Sequence, residues 1–284
     1  MSFCFLPAQA APLHVTVMLS EEGGAYQAFS DSLRSQLQTD RIALNIQRAN
    51  ESLGTSDLYI AVGMKAAAIL ASRDVPSLSV LVSRAGYEQL KHTSVQHGKA
   101  HSAIFLDQPM DRQVALLLAA LPATLNVGVL YAAPQPELQN LRHLLAGRSI
   151  RLHEQIVDKS QSLNDALESV LNVSEVLFVL PDSGIYNAGT MRNILLTAYR
   201  KQVPLMGISQ SYVKAGALCA VFTTPEQFAE QTAGLIEKYA ESGKLPEAQY
   251  PATFDVSVNK QVARSLEIHI KDADQLRDEI RRAQ

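Results

Sequence analysis

Residues 176–221 read VLFVLPDSGIYNAGTMRNILLTAYRKQVPLMGISQSYVKAGALCAV. The stretch opens with an unbroken apolar run, Val176–Leu180, that stops at Pro181. A polar cluster follows: Asp182, Ser183, Gly184, Tyr186 and Asn187. Then "MRNILLTAYRK" repeats its apolar residues at helical spacing, and "PLMGIS" forms a second short apolar run. Strand, helix, strand, with strands apolar on both faces, is the pattern of a parallel sheet covered by helices on both sides.

The same alternation runs outward in both directions. Upstream lie "LHVTVML", a helical pattern through Tyr26, Phe29, Leu33 and Leu37, then "IALNIQ", "LYIAV" ending at Gly63, "MKAAAILAS" and "LSVLVS". A shorter helix is expected around residues 87–91, and "NVGVLY" and "LNDALESVL" precede the quoted stretch. An internal repeat points to two sheets. Residues 56–62, SDLYIAV, resemble residues 174–180, SEVLFVL, and each is followed by a helix and a Val-Pro strand. The second copy carries about ten more residues, placed after a strand, at the edge where such sheets bind ligands.

With 284 residues, 47% hydrophobic and 19% charged, the chain is long enough for two lobes of ordinary globular composition. A net charge of −3 and no long Lys/Arg run give no basic field for nucleic acid. No apolar stretch reaches 18 residues, so no membrane-spanning helix is expected. The start, MSFCFLPAQAAP, reads as the remnant of an export signal over residues 1–11, with Ala8-Gln9-Ala10 as a small-x-small cleavage site and the beginning of the signal missing. Cys219 in "GALCAVF" reads as a small buried hydrophobe, and no disulfide framework exists.

A break is expected in "FLDQPMDRQ" (105–113) and a second crossover in "LCAVFTTPEQF" (218–228). The expected organisation is an N-terminal lobe of 12–107 plus 223–250, a C-terminal lobe of 108–222, and 251–284 as a crossover segment with a charged, solvated terminal helix.

The quoted stretch, together with "TTPEQFAEQTAGLIEKYAESGKLPEAQYPATFDVSVNKQVARSLEI" (223–268), resembles the substrate-binding proteins of a bacterial ABC importer family often linked to aromatic amino acids. The likeness covers about residues 127–268. In the N-terminal half it is carried by "LYIAVGMKAAAIL" (58–70), similar to that family's strand, glycine and Ala-rich helix. Two departures stand out: Met64 and Lys65 follow the glycine where the family has Thr or Ser, and "SRAGYEQLKH" replaces a D-P-V-x-A-G segment.

The resemblance implies an α/β, type I periplasmic binding fold, with two Rossmann-like lobes joined by a three-strand hinge and ligand captured between them. It implies a periplasmic protein that presents a small polar or amino-acid-like solute to an ABC permease. Ligand contacts are then expected at the carboxyl ends of the strands. In the N-terminal lobe these are Ser20, Glu21, the helix start Gly63-Met64-Lys65-Ala66, Ser83 and Arg84, whose planar fork suits a carboxylate or phosphate. In the C-terminal lobe they are Tyr131 and Tyr186 for stacking, Asp182 with Ser183 for a ligand ammonium, and Ser209 with Gln210. Asp182 also reads as an Asx turn or helix cap, Arg84 as a rim ion pair, and Lys65 as pointing to water. The departures leave an alternative: a non-transporting envelope interaction module with a degenerate site, serving a protein partner.

Catalytic signatures are missing. There is no G-x-x-x-x-G-K-[ST] or strand-following G-x-G-x-x-G, and "GISQS" lacks the second glycine of a nucleophile elbow. His143, His153 and His269 have no triad context. His92, His97 and His101 in "HTSVQHGKAH" read as a solvated loop rather than a metal site, and no cofactor is expected.

Overall fold

The computed structural model describes residues 11–93, 100–133, 135–158 and 162–284. The proposed signal remnant and His97 lie outside these, apart from Ala11. The chain forms two compact units. Unit 1 holds the chain up to Leu106 together with Thr223–Thr253; unit 2 holds Asp107–Phe222 together with Phe254–Gln284. The backbone therefore passes between the units three times.

Unit 1 is built on five parallel strands in the order β2-β1-β3-β4-β5. These are β1 (Leu13–Leu19), β2 (Ile42–Arg48), β3 (Leu58–Val62), β4 (Ser77–Val82) and β5 (His101–Phe105). All five residues of β3 are buried, as its unbroken apolar sequence requires. Alternate residues serve two cores. Leu58, Ile60 and Val62 face helices α1 (Gly24–Gln36) and α9 (Pro225–Ser242) with Phe29, Leu33, Phe228 and Ile236. Tyr59 and Ala61 face α2 (Met64–Ala71) and α3 (Arg84–Thr93) with Ala67, Leu70 and Tyr87.

One irregularity sits beside the expected site. The β4–β5 register shifts between Val80 and Val82, and Leu81 takes φ 56°. This bulge places Val80 in the first core and Val82 in the second, and so re-aims the chain just before Ser83 and Arg84.

Unit 2 repeats the topology with six strands in the order β11-β10-β9-β8-β6-β7. Here β6 (Asn126–Tyr131) takes the place of β1, β7 (Arg151–Ile156) of β2, β8 (Val176–Phe178) of β3, β9 (Leu205–Gly207) of β4 and β10 (Cys219–Phe222) of β5. The added strand, β11 (Asp255–Val258), pairs antiparallel with β10, so this sheet is mixed rather than wholly parallel. One face packs on α4 (Met110–Ala120), α5 (Pro136–Ala146) and α11 (Ala273–Ala283) through Val127, Val129, Phe178 and Val221. The other packs on α6 (Leu163–Leu171) and α7 (Met191–Arg200) through Leu130, Leu177 and Leu205. The short helix α8 (Gln210–Ala215) packs on β10 and β11, and α10 (Lys260–Ser265) follows β11 and adds Ala263 to the core.

The terminal helix corrects the expectation of a solvated face. Leu276 and Ile280 of α11, four residues apart, are fully buried against α4. Cys219 is buried, and burial pushes its thiol up to about 12, as suits an inert core residue.

Helix α9, which closes the first core of unit 1, begins with a capping box. Thr224 Oγ1 accepts from the Gln227 amide, Gln227 Oε1 accepts from the Thr224 amide, and Pro225 stands at N1. Thr224→Ala should therefore cost about 1 kcal/mol of stability in urea unfolding, whereas Thr224→Ser should cost little. Equal losses for the two would show that the hydroxyl bond is not what matters.

Candidate ligand-binding site

In unit 1 the carboxyl ends of β1, β3 and β4 come together at the start of α2. Gly63 joins β3 to α2 with φ 87°, and its amide bonds the Val80 carbonyl at 2.8 Å. A Cβ here would lie 2.8 Å from both Ser20 Oγ and the Tyr26 ring. Only glycine gives both the conformation and the close approach. Ser20 Oγ accepts from the Ala66 amide at 2.9 Å, acting as a remote cap on α2. Of the first four amides of α2, counting Gly63, those of Met64 and Lys65 have no acceptor among the described residues.

The side chains around these amides are less open than the sequence implied. Ser83 Oγ caps α3 by accepting from the Gly86 amide at 3.1 Å. Met64 is 37% exposed and its Sδ and Cε lie across Gly86, 2.8 Å from where a Cβ would stand. Arg84 donates to the Tyr250 hydroxyl at 2.9 Å and lies 5.9 Å from that ring's centre. Tyr250 in turn packs edge-on against Phe105, and Phe105 against Tyr87. Lys65 and Glu21 are exposed. Sequence reasoning missed Tyr26 and Tyr250. Tyr26 has the helical spacing of a core residue, yet it stands over Gly63, its phenol pushed up by burial and by Glu21. Tyr250 is 166 residues from its partner Arg84, and no local pattern marks the pair.

In unit 2 the corresponding edge is organised by Asp182. Its Oδ2 accepts from the Ala132 amide at 2.8 Å and from Gln135 Nε2 at 3.3 Å; its Oδ1 accepts from the Gly184 amide at 2.9 Å. Asp182 thus forms an Asx turn and also ties the loop after β8 to the loop after β6. Tyr131, 7% exposed, donates to Glu154 at 3.2 Å, and Arg142 grips that carboxylate with both arms of its fork. Burial, then the Glu154 charge, raises the Tyr131 phenol. Tyr186 is 6% exposed and its ring packs in the core beside α6 and α7, not on the strand edge. Burial pushes its phenol far up, against a backbone contact with Leu130. Ser183 and Gln210 are exposed, and Ser209 caps α8 through the Tyr212 amide.

The structure therefore gathers Ser20, Gly63, Met64, Lys65, Ala66, Ser83 and Arg84 at one edge of unit 1, and Tyr131, Asp182, Ser183, Ser209 and Gln210 on the strand ends of unit 2. Most of their polar atoms are used to hold loops in place. A separate pocket of about 310 Å³ in unit 2 is formed by α4, α5 and α11, with Val114, Leu118, Leu144 and Arg148 in its wall, and not by strand ends. His101 bonds the Ser77 hydroxyl at 2.7 Å, and burial lowers its pKa against the pull of Asp74. Among the described residues no group of three or more His, Cys, Asp or Glu could hold a metal ion, and no helix is long and apolar enough to cross a membrane.

Two α/β units of one topology, connected by three chain crossings and bearing polar loops at their strand ends, define the class of type I periplasmic binding folds. The family profile described as ABC transporter substrate binding protein matches residues 34–276, and the chain belongs to that family. A search of curated proteins gave no match. Among solved structures, the chain is similar to an open, ligand-free substrate-binding protein with adhesive properties from Clostridium difficile, with 17% identity and a TM-score of 0.72, covering 92% of this chain and 96% of that one. It is similar to an ABC domain in complex with L-Trp from Streptococcus pneumonia, at 15% identity and a TM-score of 0.65, over 94% and 98%. It is also similar to a conserved domain protein from Vibrio cholerae, at 23% identity and a TM-score of 0.63, over 93% and 98%.

Proposed function

We propose that this protein is the exported, periplasmic solute-binding component of an ABC importer, and that it takes a small polar or amino-acid-like ligand. The observation that carries this is the start of α2. Ser20 and Gly63 fix the loop, and the Met64 and Lys65 amides are left at the positive end of a helix, where a ligand carboxylate is stabilised. On this reading the ligand touches the strand ends of both units, and the three crossings act as a hinge. A ligand with contacts to both units has differential affinity for a closed state, and closure is what a permease reads. No covalent step is involved. The L-Trp bound by the pneumococcal neighbour makes amino acids the first compounds to try.

Thermal unfolding against amino acids, purines, sugars and anions tests the reading. A ligand that binds only the folded state, at about a hundredfold its Kd, adds about 2.7 kcal/mol and raises the Tm visibly. Asp182→Ala should lower the baseline by roughly 2 kcal/mol, because a carboxylate holding two loops is lost. The ligand-induced shift must therefore be read against each variant's own baseline.

A second reading has its own support. Arg84, Tyr131 and Asp182 are committed to bonds within their units, as in a protein whose cleft no longer selects a solute. The family fold would then serve a protein partner, as the adhesive properties named for the Clostridium neighbour illustrate. No shift with any compound, on a protein that melts cooperatively, would overturn the importer reading in favour of this one.

A further inference from the structure

Helices α6 and α7 of unit 2 lie side by side, parallel and in register. Asn193 Nδ2 donates to Asn164 Oδ1 at 2.6 Å, and Lys201 Nζ donates to Asn172 Oδ1 at 2.9 Å; both pairs are 29 residues apart. Their inner faces fill the core. Their outer faces differ in sign: α6 shows Asp165 and Glu168, whereas α7 shows Arg192 and Arg200. None of these four is in an ion pair among the described residues. Arg192 stands in the first turn of α7, where the helix dipole disfavours a cation, so local helix stability does not account for it. Between and beside the charges, Leu196 and Tyr199 on α7 are 46% and 43% exposed, and Val173 just past α6 is 51% exposed.

We propose that this face is a self-complementary interface joining two copies of the chain about a two-fold axis. An axis parallel to the helices lays α6 of one copy over α7 of the other. Glu168 and Asp165 then meet the partner's basic helix twice over, around the apolar Leu196 and Tyr199. An axis across the helices would set α6 on α6 and α7 on α7, with like charges facing. The segregation of charge selects the first arrangement. Each helix is about 15 Å long, and two side by side give a footprint of roughly 300 Å² per copy. That is below the ~800 Å² per partner of a lasting complex, so the dimer is reversible and forms at high concentration and low salt.

Sedimentation velocity on the full chain tests the proposal over a wide concentration range at low salt. The weight-average mass should climb toward twice the monomer's, and added salt should reverse the climb. Glu168→Arg or Arg200→Glu alone should weaken association on the order of tenfold, because each pair occurs twice in the interface. The double variant Glu168→Arg/Arg200→Glu should restore it, which a folding defect could not do. Leu196→Asp should abolish it without lowering the Tm of the monomer. A monomer at every concentration, or a dimer indifferent to both charge reversals, would overturn the proposal.

Discussion

Gly63→Ala is expected to destabilise unit 1 by about 2–4 kcal/mol. Two costs add. The backbone at φ 87° is unfavourable for any L side chain, and the new Cβ would stand 2.8 Å from Ser20 Oγ and from the Tyr26 ring. Relief must come from moving Ser20, which caps α2, or Tyr26, which packs over the turn. Either movement disturbs the Met64 and Lys65 amides, so on the proposed function any ligand-induced rise in Tm should vanish as well. Gly54→Ala is the control, because nothing lies within 4 Å of its Cβ position and its φ is not positive. It should be neutral or slightly stabilising. Urea unfolding of both variants checks the difference. A Gly63→Ala loss below about 1 kcal/mol would mean that the turn yields more easily than its contacts imply.

The second large effect is expected in unit 2. Phe254→Ala should cost roughly 3–5 kcal/mol. Phe254 is 2% exposed and begins the segment that returns the chain to this unit. The Arg112 guanidinium lies 4.3 Å from the ring centre, and Arg281 lies 5.8 Å away. Arg112 is itself 6% exposed, and burial lowers its pKa, so the ring shields a cation with little access to water. Phe254→Leu separates the two contributions. It keeps most of the volume and loses the aromatic face, so it should cost about half as much. Chemical unfolding followed by circular dichroism reads both values. If Phe254→Leu matched wild type, the cation–ring contact would carry no net stability.

Much of the fold was legible in the sequence because buried parallel strands leave an unmistakable mark. LYIAV and VLFVL are apolar at every position, since helices cover both faces of the sheets. The repeat between residues 56–62 and 174–180 reflects a shared position: β3 is third from the β2 edge of its sheet and β8 is third from the β7 edge of the other. The site was legible only in outline. Strand ends, Gly63 and the cluster after β8 were visible as positions, but their bonding partners were not. Arg84 meets Tyr250 across 166 residues, and Asp182 meets Ala132 across 50. Nothing in a linear pattern distinguishes a carboxylate that awaits a ligand from one that holds two loops. The bulge at Leu81 was hidden for a similar reason, because LSVLV reads as an uninterrupted strand whichever core each residue joins. The terminal helix misled through composition: its many charges mask the two apolar residues, Leu276 and Ile280, that anchor it.

The three chain crossings also set the order in which the molecule can be built. Phe29 and Leu33 of α1 bury against Phe228 and Ile236 of α9, so the first core of unit 1 stays open until nearly two hundred further residues have been made. Unit 2 waits longer still, for β11 and α11 at the chain's far end. A ribosome must therefore reach Ser242 before the first core of unit 1 can close and Ala283 before unit 2 can, and the long loops involved make folding slow. No single cut along the gene yields an intact half. Such a nascent chain exposes its apolar strands for most of its synthesis, and should depend on chaperone protection during that interval.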